Sequence, residues 1–394
     1  MIGSGRLGHY FGMAGHVRYS VPVLIVLLIF GFALLVVRYS EVFIDKRVFR
    51  QKNFLETLNS LSDQIPFEKI HFDYNFNEFA AVLKTMPKAP YLILYDSSNV
   101  DVVFNHVCNL QFIPNALSRL VAVAFDENSH AALKLKHPAI PNVLINLKPL
   151  VESLESVKEN RGYLTYTLAL VVHAKICASL ALRGIDFWSM HQDSLWTQNF
   201  DLMNVEERYP DAYLLFDTIG NENPVYHRMR DWVCGATFFV RGNPTTFQFF
   251  SQVESFMLSH QSPDSTIFTY LCGHHHYKCQ FLPQWMVSSF NYFEGPRENV
   301  PVLIQIDGGK QKGESKMDVL RRGNFVFQHE NGTCDETNFH KLRENVKFGF
   351  PDFIRKDGSL KENSFQKTVY FMKNLFNVDP WNRKFYLTIH ESLI

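Results

Sequence analysis

The stretch Tyr163–Phe200, YLTYTLALVVHAKICASLALRGIDFWSMHQDSLWTQNF, decides how the rest of the chain is read. From Tyr163 to Leu182 it is rich in Leu, Ala, Val and Ile and holds no Pro or Gly, and Gly184 falls where a left-handed C-terminal cap would stop a helix. Ile185, Phe187 and Trp188 then resume as a short apolar run that breaks off at Met190-His191-Gln192-Asp193, before Ser194-Leu195-Trp196. The pattern is a buried helix, a tight turn, a strand and a polar step. It delivers an imidazole and a carboxylate, two residues apart, to a strand end. In an open α/β sheet, ligands bind beyond the carboxyl ends of the strands, so His191 and Asp193 are the first candidates for chemistry.

Working outward, the same alternation recurs on both sides. Upstream, Tyr91–Tyr95 is a continuous apolar run suited to a parallel strand covered on both faces. Asn99–Leu117 reads as a crossover helix interrupted by Pro114, Leu120–Phe125 as a second strand, Ser129–His137 as a helix and Val143–Ile145 as a short third strand. Downstream, Tyr213–Phe216 and Cys234–Val240 read as strands, Thr245–Leu258 as a covering helix, and a further helix opens near Ser262 or Asp264. The order implies an α/β fold built on an open, mixed but mostly parallel sheet flanked by helices, with right-handed crossovers. Strands end at Asp96, Asp126 and Asp193. Carboxylates there suit hydroxyl or metal contacts, and for Asp96 and Asp126 a helix cap is an equal reading.

Composition bounds the rest. The chain has 394 residues, 46% hydrophobic and 20% charged, enough for a full core. Thirty-nine basic residues balance thirty-nine acidic ones, so no global field points to nucleic acid. Val21–Val37 is an uninterrupted apolar run flanked by Arg18 and Arg38, with no small-residue cleavage pattern after it and no polar face. It reads as one transmembrane signal anchor, with a cytosolic tail over 1–20, a stem and supporting helix over 38–86, a catalytic-type domain over 87–345 and a C-terminal extension over 346–394 packed on that domain. The flanking charges alone do not orient it. The single sequon, Asn331-Gly332-Thr333, and six cysteines favour a lumenal body of a type II protein in the Golgi or endoplasmic reticulum. Cys272 with Cys279 is the best disulfide candidate, Cys177 suits a free apolar side chain, and the intervening His274-His275-His276 fits a disulfide-closed loop better than a zinc site.

There is no Walker loop, no G-x-G-x-x-G and no G-x-S-x-G in the body, which removes the usual support for P-loop phosphotransfer and esterase chemistry. What remains are carboxylates at strand ends and histidines. His329, after the apolar run Phe325–Phe327, combines on paper with His191 and Asp193 into an oxygen and nitrogen ligand set for Mn²⁺ or Mg²⁺.

Taken together, Lys175, Leu182, Gly184, Asp193 and Trp196, the Val121–Leu135 stretch with Asp126, Gly235–Arg241, Asp264 and His329-Glu330-Asn331-Gly332 resemble the nucleotide-diphospho-sugar transferase family that includes the plant rhamnogalacturonan xylosyltransferases. The resemblance runs from about Tyr91 to His329. It implies a GT-A-type fold and a membrane-anchored Golgi enzyme that moves a sugar from a nucleotide diphosphate donor to a glycan or glycoprotein acceptor. A divalent cation would stabilise the leaving diphosphate. Asp193 would be the leading ligand, Asp264 would contact the acceptor or stabilise the transition state, and Lys175, Asp96, Asp126 and Trp196 would serve the donor site. Two positions depart from the family pattern: His191 replaces the first aspartate of a D-x-D step, and Ser265 replaces the glutamine after Asp264. A glycan on Asn331 and a metal ligand at His329 also exclude each other within a deep cleft. The competing class is a non-catalytic lumenal binding or assembly protein that keeps the fold.

Overall fold

A computed structural model describes residue 31 and residues 50–157, 161–219, 232–273, 277–294, 297, 299–311 and 313–350. The expected anchor over 21–37 (residue 31 apart), the triple histidine at 274–276 and the extension beyond 350 lie outside the described residues. The chain divides into two units after Glu56. In the first, residues 50–56 are helical and carry an exposed Lys52–Glu56 pair one turn apart. The second begins at Thr57, so residues 57–86, read from sequence as stem and supporting helix, belong to the folded body. Leu58, Leu61, Ile65 and Phe76 are buried there.

Among the described residues, the body is organised on a seven-stranded sheet in the order β3-β2-β1-β4-β7-β6-β8. Its strands are β1 (Tyr91–Tyr95), β2 (Leu120–Ala124), β3 (Asn142–Leu144), β4 (Phe187–Met190), β6 (Leu214–Thr218), β7 (Val233–Val240) and β8 (Cys279–Phe281). β7 alone runs against its neighbours β4 and β6, and the other pairings are parallel. The expected mixed, mostly parallel α/β sheet is therefore present. Continuous apolar runs make these strands because both faces are covered, and every residue of β2 and β4 is buried.

A second sheet, in the order β5-β10-β9, joins β5 (Ser194–Trp196), β10 (Leu303–Gln305) and β9 (Val287–Ser288). It pairs the residues just after Asp193 with a segment more than a hundred residues later, antiparallel, with Gln305 opposite Ser194. Strands of two and three residues leave too little periodicity to be read from sequence, and only the pairing defines them.

The Arg161–Leu182 helix is long and apolar enough to cross a membrane by composition, yet 83% of its apolar window is buried inside the fold. It packs on the Pro244–Ser259 helix. It ends as its sequence dictates: Gly184 takes φ +68°, and the Ile185 amide reaches back to the Leu180 carbonyl in a Schellman closure. Two disulfides are present. Cys272–Cys279 is the expected local one, and Cys108–Cys334 joins residues 226 apart. Cys177 is free and buried, as its apolar helix implies, and Cys234 is free and half-buried.

Candidate functional site at the strand ends

The chain moves outward from β1 to β2 to β3 and then returns to place β4 on the other side of β1. That reversal opens a crevice beyond the carboxyl ends of β1 and β4, the usual ligand position in such sheets. β6 ends at the same edge, and β7, being antiparallel, begins there. His191 and Asp193 follow β4, Asp217 lies near the end of β6, Cys234 near the start of β7, and Gln305 ends β10 with Asp307 just beyond it, all at this edge.

Asp193 is the centre of the cluster. Its Oδ2 pairs with the Lys316 ammonium at 2.7 Å, and its Oδ1 is buried with no hydrogen-bond partner among the described residues. The His191 Nδ1 stands 3.9 Å from that oxygen, on an imidazole that is 42% exposed. The Ile306 amide donates to the Asp193 carbonyl, and Lys316 Nζ also donates to the Ile306 carbonyl. Beside them, Asp307 accepts from the Phe290 amide at 2.8 Å and from the Cys234 thiol at 3.2 Å. Asp307 is solvent-accessible on one side, and the protein packed around its other side raises its pKa, with Asp193 adding repulsion. Burial likewise raises the Cys234 thiol.

Behind this rim, Asp217 accepts from the Gly235 and Thr237 amides and from the Gln305 amide nitrogen, each at 3.0 Å. Burial pushes its carboxyl up to about 8, against the pull of the two backbone amides. His106 supports the step from below: its Nδ1 lies 3.0 Å from the Ser194 carbonyl, and burial takes its pKa down to about 4, which keeps it neutral at pH 7.

Asp264 opens the Asp264–Gly273 helix, which packs against the start of β7, where a side chain on Gly235 would meet Ser265 and Phe268. The Asp264 carboxylate accepts from the adjacent Ser265 amide at 2.7 Å, and burial raises its pKa to about 7. The approach of Ser265 to Gly235 sets Asp264 beside Cys234 at the start of β7.

The other expected site residues are placed elsewhere. Lys175 does not reach the cleft. On its helix, His173 faces the sheet and bonds Ser189 of β4, so Lys175, two residues on, points to the opposite face. There its ammonium bonds the Ser62 hydroxyl, the Ser62 and Ile65 carbonyls, and Glu254 at 3.4 Å. Trp196 is fully buried and packs edge-on against Tyr91 and Phe200, a core position rather than a donor contact. Asp126 caps the Glu127–Lys136 helix through the Ser129 amide and also binds the amide and hydroxyl of Ser97, fixing the exit from β1. Burial would raise this carboxyl, and those hydrogen bonds outweigh it and hold the pKa below the usual value. Asp96 is turned into its own loop by Ser98 and Asn99. Both carboxylates shape the crevice wall as turn and cap residues.

His329 is not brought to Asp193. It lies on the hairpin closed by the Gln328–Cys334 bridge and the Cys108–Cys334 disulfide, beside Gln111 and Lys136, where the two crossover helices have returned toward the strand starts. Its nearest carboxylate is Asp335, at 3.9 Å. Asn331 on the same hairpin is exposed, its side chain accepting from the Thr333 amide and hydroxyl.

The expected Mn²⁺ or Mg²⁺ set is therefore not assembled: among the described residues, no three His, Cys, Asp or Glu side chains converge to hold a metal. What Asp193 meets is a cation from the chain itself. A divalent ion about 5 Å from that ammonium would be repelled by several kcal/mol at an effective dielectric of about 20. The residues present do not fit the metal.

Of the residues expected from sequence, the fold brings Asp193, His191 and Asp264 to this edge, and Asp217 joins them from the end of the strand read over Tyr213–Phe216. Sequence reasoning missed Lys316, Asp307, Cys234 and Gln305. Lys316 carries no motif signal, since its meaning comes only from a partner 123 positions earlier in the sequence.

The family model described as nucleotide-diphospho-sugar transferase matches residues 115–320, just over half of the chain. No curated protein matches the chain. Among solved structures, mouse xyloside xylosyltransferase 1 in its apo form is similar at 11% identity, covering 56% of this chain and 97% of that one with a TM-score of 0.36. The galactosyltransferase LgtC, in complex with donor and acceptor sugar analogues, is similar at 11% identity, with 68% and 98% coverage and a TM-score of 0.39. The bifunctional glycosyltransferase WbbM in its apo form is similar at 9% identity, and the overlap takes 68% of this chain, 51% of that chain, and a TM-score of 0.40.

Proposed function

We propose that this chain, which belongs to the nucleotide-diphospho-sugar transferase family, moves a sugar from a nucleotide diphosphate donor to an acceptor hydroxyl in the cleft at the strand ends. One observation carries the reading. Asp193, Asp217, Cys234, Asp264, Asp307 and Lys316 all fall inside the matched span, and they come from six separate segments to one edge of the sheet. The sheet order, with a single reversed strand, supports a GT-A-type arrangement.

In the reaction, the bond between the sugar's anomeric carbon and the diphosphate oxygen breaks, its electron pair passing to that oxygen. The acceptor hydroxyl oxygen forms the new bond, and its proton is taken up by the released diphosphate or by solvent. The Oδ1 of Asp193, buried and without a hydrogen-bond partner among the described residues, suits a hydroxyl of the donor. Asp264, with its pKa near 7, suits proton exchange close to the acceptor.

We also propose that 21–37 anchors the chain in a Golgi or endoplasmic reticulum membrane with the body lumenal. Two disulfides and the exposed Asn331 support an oxidising, glycosylating compartment. The Lys316–Asp193 pair and the half-exposed His191 favour a second reading, a protein that binds nucleotide sugar without transferring it.

Donor hydrolysis by the full-length chain, screened over UDP-, GDP- and ADP-sugars, tests the transferase reading. At least one donor is expected to be hydrolysed, and Asp193→Ala should lower the rate by roughly a hundredfold, the scale of losing one preorganised polar contact. Binding without hydrolysis supports the second reading. Neither binding nor hydrolysis overturns both.

A further inference from the structure

We infer that Lys316 stands in place of a divalent cation at this site, so that a donor's diphosphate is held by a protein ammonium and binding is independent of metal. The inference rests on the transferase reading above and concerns how the same cleft meets its anionic ligand.

An ammonium carries three donors. Lys316 uses one on Asp193 Oδ2 at 2.7 Å and one on the Ile306 carbonyl, and among the described residues no acceptor takes the third. The side chain is 26% exposed, while the carboxylate it pairs with is only 8% exposed. The charge is thus fixed in orientation and still has a proton to offer an incoming phosphate oxygen, a point-charge mode of phosphate recognition that lysine performs well.

Its support is rigid. The Lys316–Arg322 helix starts from a capping box in which Ser315 and Asp318 satisfy each other's backbone amides, and Val319 and Leu320 are buried in the core formed with Phe290, Phe325 and Phe350. Arg322 ties the same helix to the Gly309 carbonyl and to Glu314. Lysine and strand end are therefore held together by separate anchors, as a preorganised site requires.

The ligands a metal would need are displaced in the same structure. Position 191 is an imidazole standing 3.9 Å from Asp193, and His329 is committed to the hairpin by Asp335 and the Cys108–Cys334 disulfide. A monovalent ammonium supplies less charge than Mn²⁺ but needs no second carboxylate, which matches a step that has lost one.

The test measures binding of UDP, GDP and ADP to the full-length chain by calorimetry, in EDTA and in MnCl₂, with Mn²⁺ alone titrated by electron paramagnetic resonance. At least one diphosphate should bind equally well in both buffers, and Mn²⁺ alone should show no tight site. Lys316→Met should weaken binding in EDTA by roughly ten- to hundredfold, the scale of a hydrogen bond to a charged group, while Lys316→Arg retains it. Circular dichroism confirms that each variant is folded. Binding that requires Mn²⁺ would overturn the inference and leave the transferase reading standing, as would binding in EDTA that survives Lys316→Met. Failure of every diphosphate in both buffers would remove the two together.

Discussion

The fold sets two lysines against carboxylates and completes them differently. Lys175 meets Glu254 at 3.4 Å, and its remaining donors go to the Ser62 and Ile65 carbonyls and the Ser62 hydroxyl. Burial pushes this ammonium's pKa down and the Glu254 carboxyl up, each opposed by their mutual attraction. Lys316 meets Asp193 more closely, at 2.7 Å, yet one carboxylate oxygen is buried without a partner and one ammonium proton has no acceptor among the described residues. The same pair of ion types is thus a closed joint between helices in one region and an incomplete, ligand-ready group in the other. Which is which follows from the number of satisfied donors and acceptors, since a buried polar group left open costs stability and is retained where a ligand completes it.

The largest effect expected from breaking this comparison is on stability. Lys175→Met removes the cation from a pocket of carbonyls and should destabilise the body by about 3 kcal/mol in denaturant unfolding, with diphosphate affinity of the folded fraction unchanged. If affinity falls along with stability, Lys175 serves the donor site after all. Lys316→Met reverses the pattern. Stability should change less, by about 2 kcal/mol, since the partly exposed ammonium leaves a buried carboxylate unpaired, while diphosphate binding weakens as described above. A cost as large as that of Lys175→Met would mark Lys316 as another closed joint.

Asp264 sharpens the comparison from the other side, as a buried carboxylate with no lysine. Its folded pKa, near 7, lies above the unfolded value of 3.8, so the native state holds a proton that the unfolded state has released. Its stabilising contribution is full below the unfolded pKa and is lost as pH rises through the folded one. Asp264 therefore pulls the thermal midpoint down as pH rises from about 4 to about 7, against the opposite pull of buried His106, and Asp264→Asn should remove that downward component. A pH profile of the midpoint that is unchanged in Asp264→Asn removes the raised pKa from the account. The smallest effect belongs to the hairpin far from both lysines. Asn331→Gln should abolish a glycosidase-sensitive mobility shift of the protein made in a secretory host, with stability changed by less than about 0.5 kcal/mol. The absence of a shift in the unaltered protein would speak against a lumenal body.

Much of the sheet was legible because its cues are local. Tyr91–Tyr95, Leu120–Ala124 and Phe187–Met190 are apolar runs between turn residues, and Gly184 marks the one left-handed step that ends the long helix. Asp193 was legible for a related reason, as the polar residue that stops an apolar run. The ligand set was not. His329 follows an apolar run just as His191 does, yet the hairpin bridging Gln328 to Cys334 turns it to the opposite end of the sheet. Lys175 and Lys316 are indistinguishable by residue type, and the more motif-like of the two is the structural one.

By itself the sequence determined the α/β alternation, the mostly parallel sheet and the family, and it singled out Cys272–Cys279 as the best disulfide candidate, because hydrophobic periodicity, turn residues and short-range spacing act within a few residues. Only the tertiary structure decided that Cys108 meets Cys334, that β5 pairs with β10, and that Asp193 is answered by Lys316 instead of a second carboxylate. Those pairings join segments a hundred or more residues apart. Their partners are chosen by how layers of the core pack, and no local pattern in the chain carries that information.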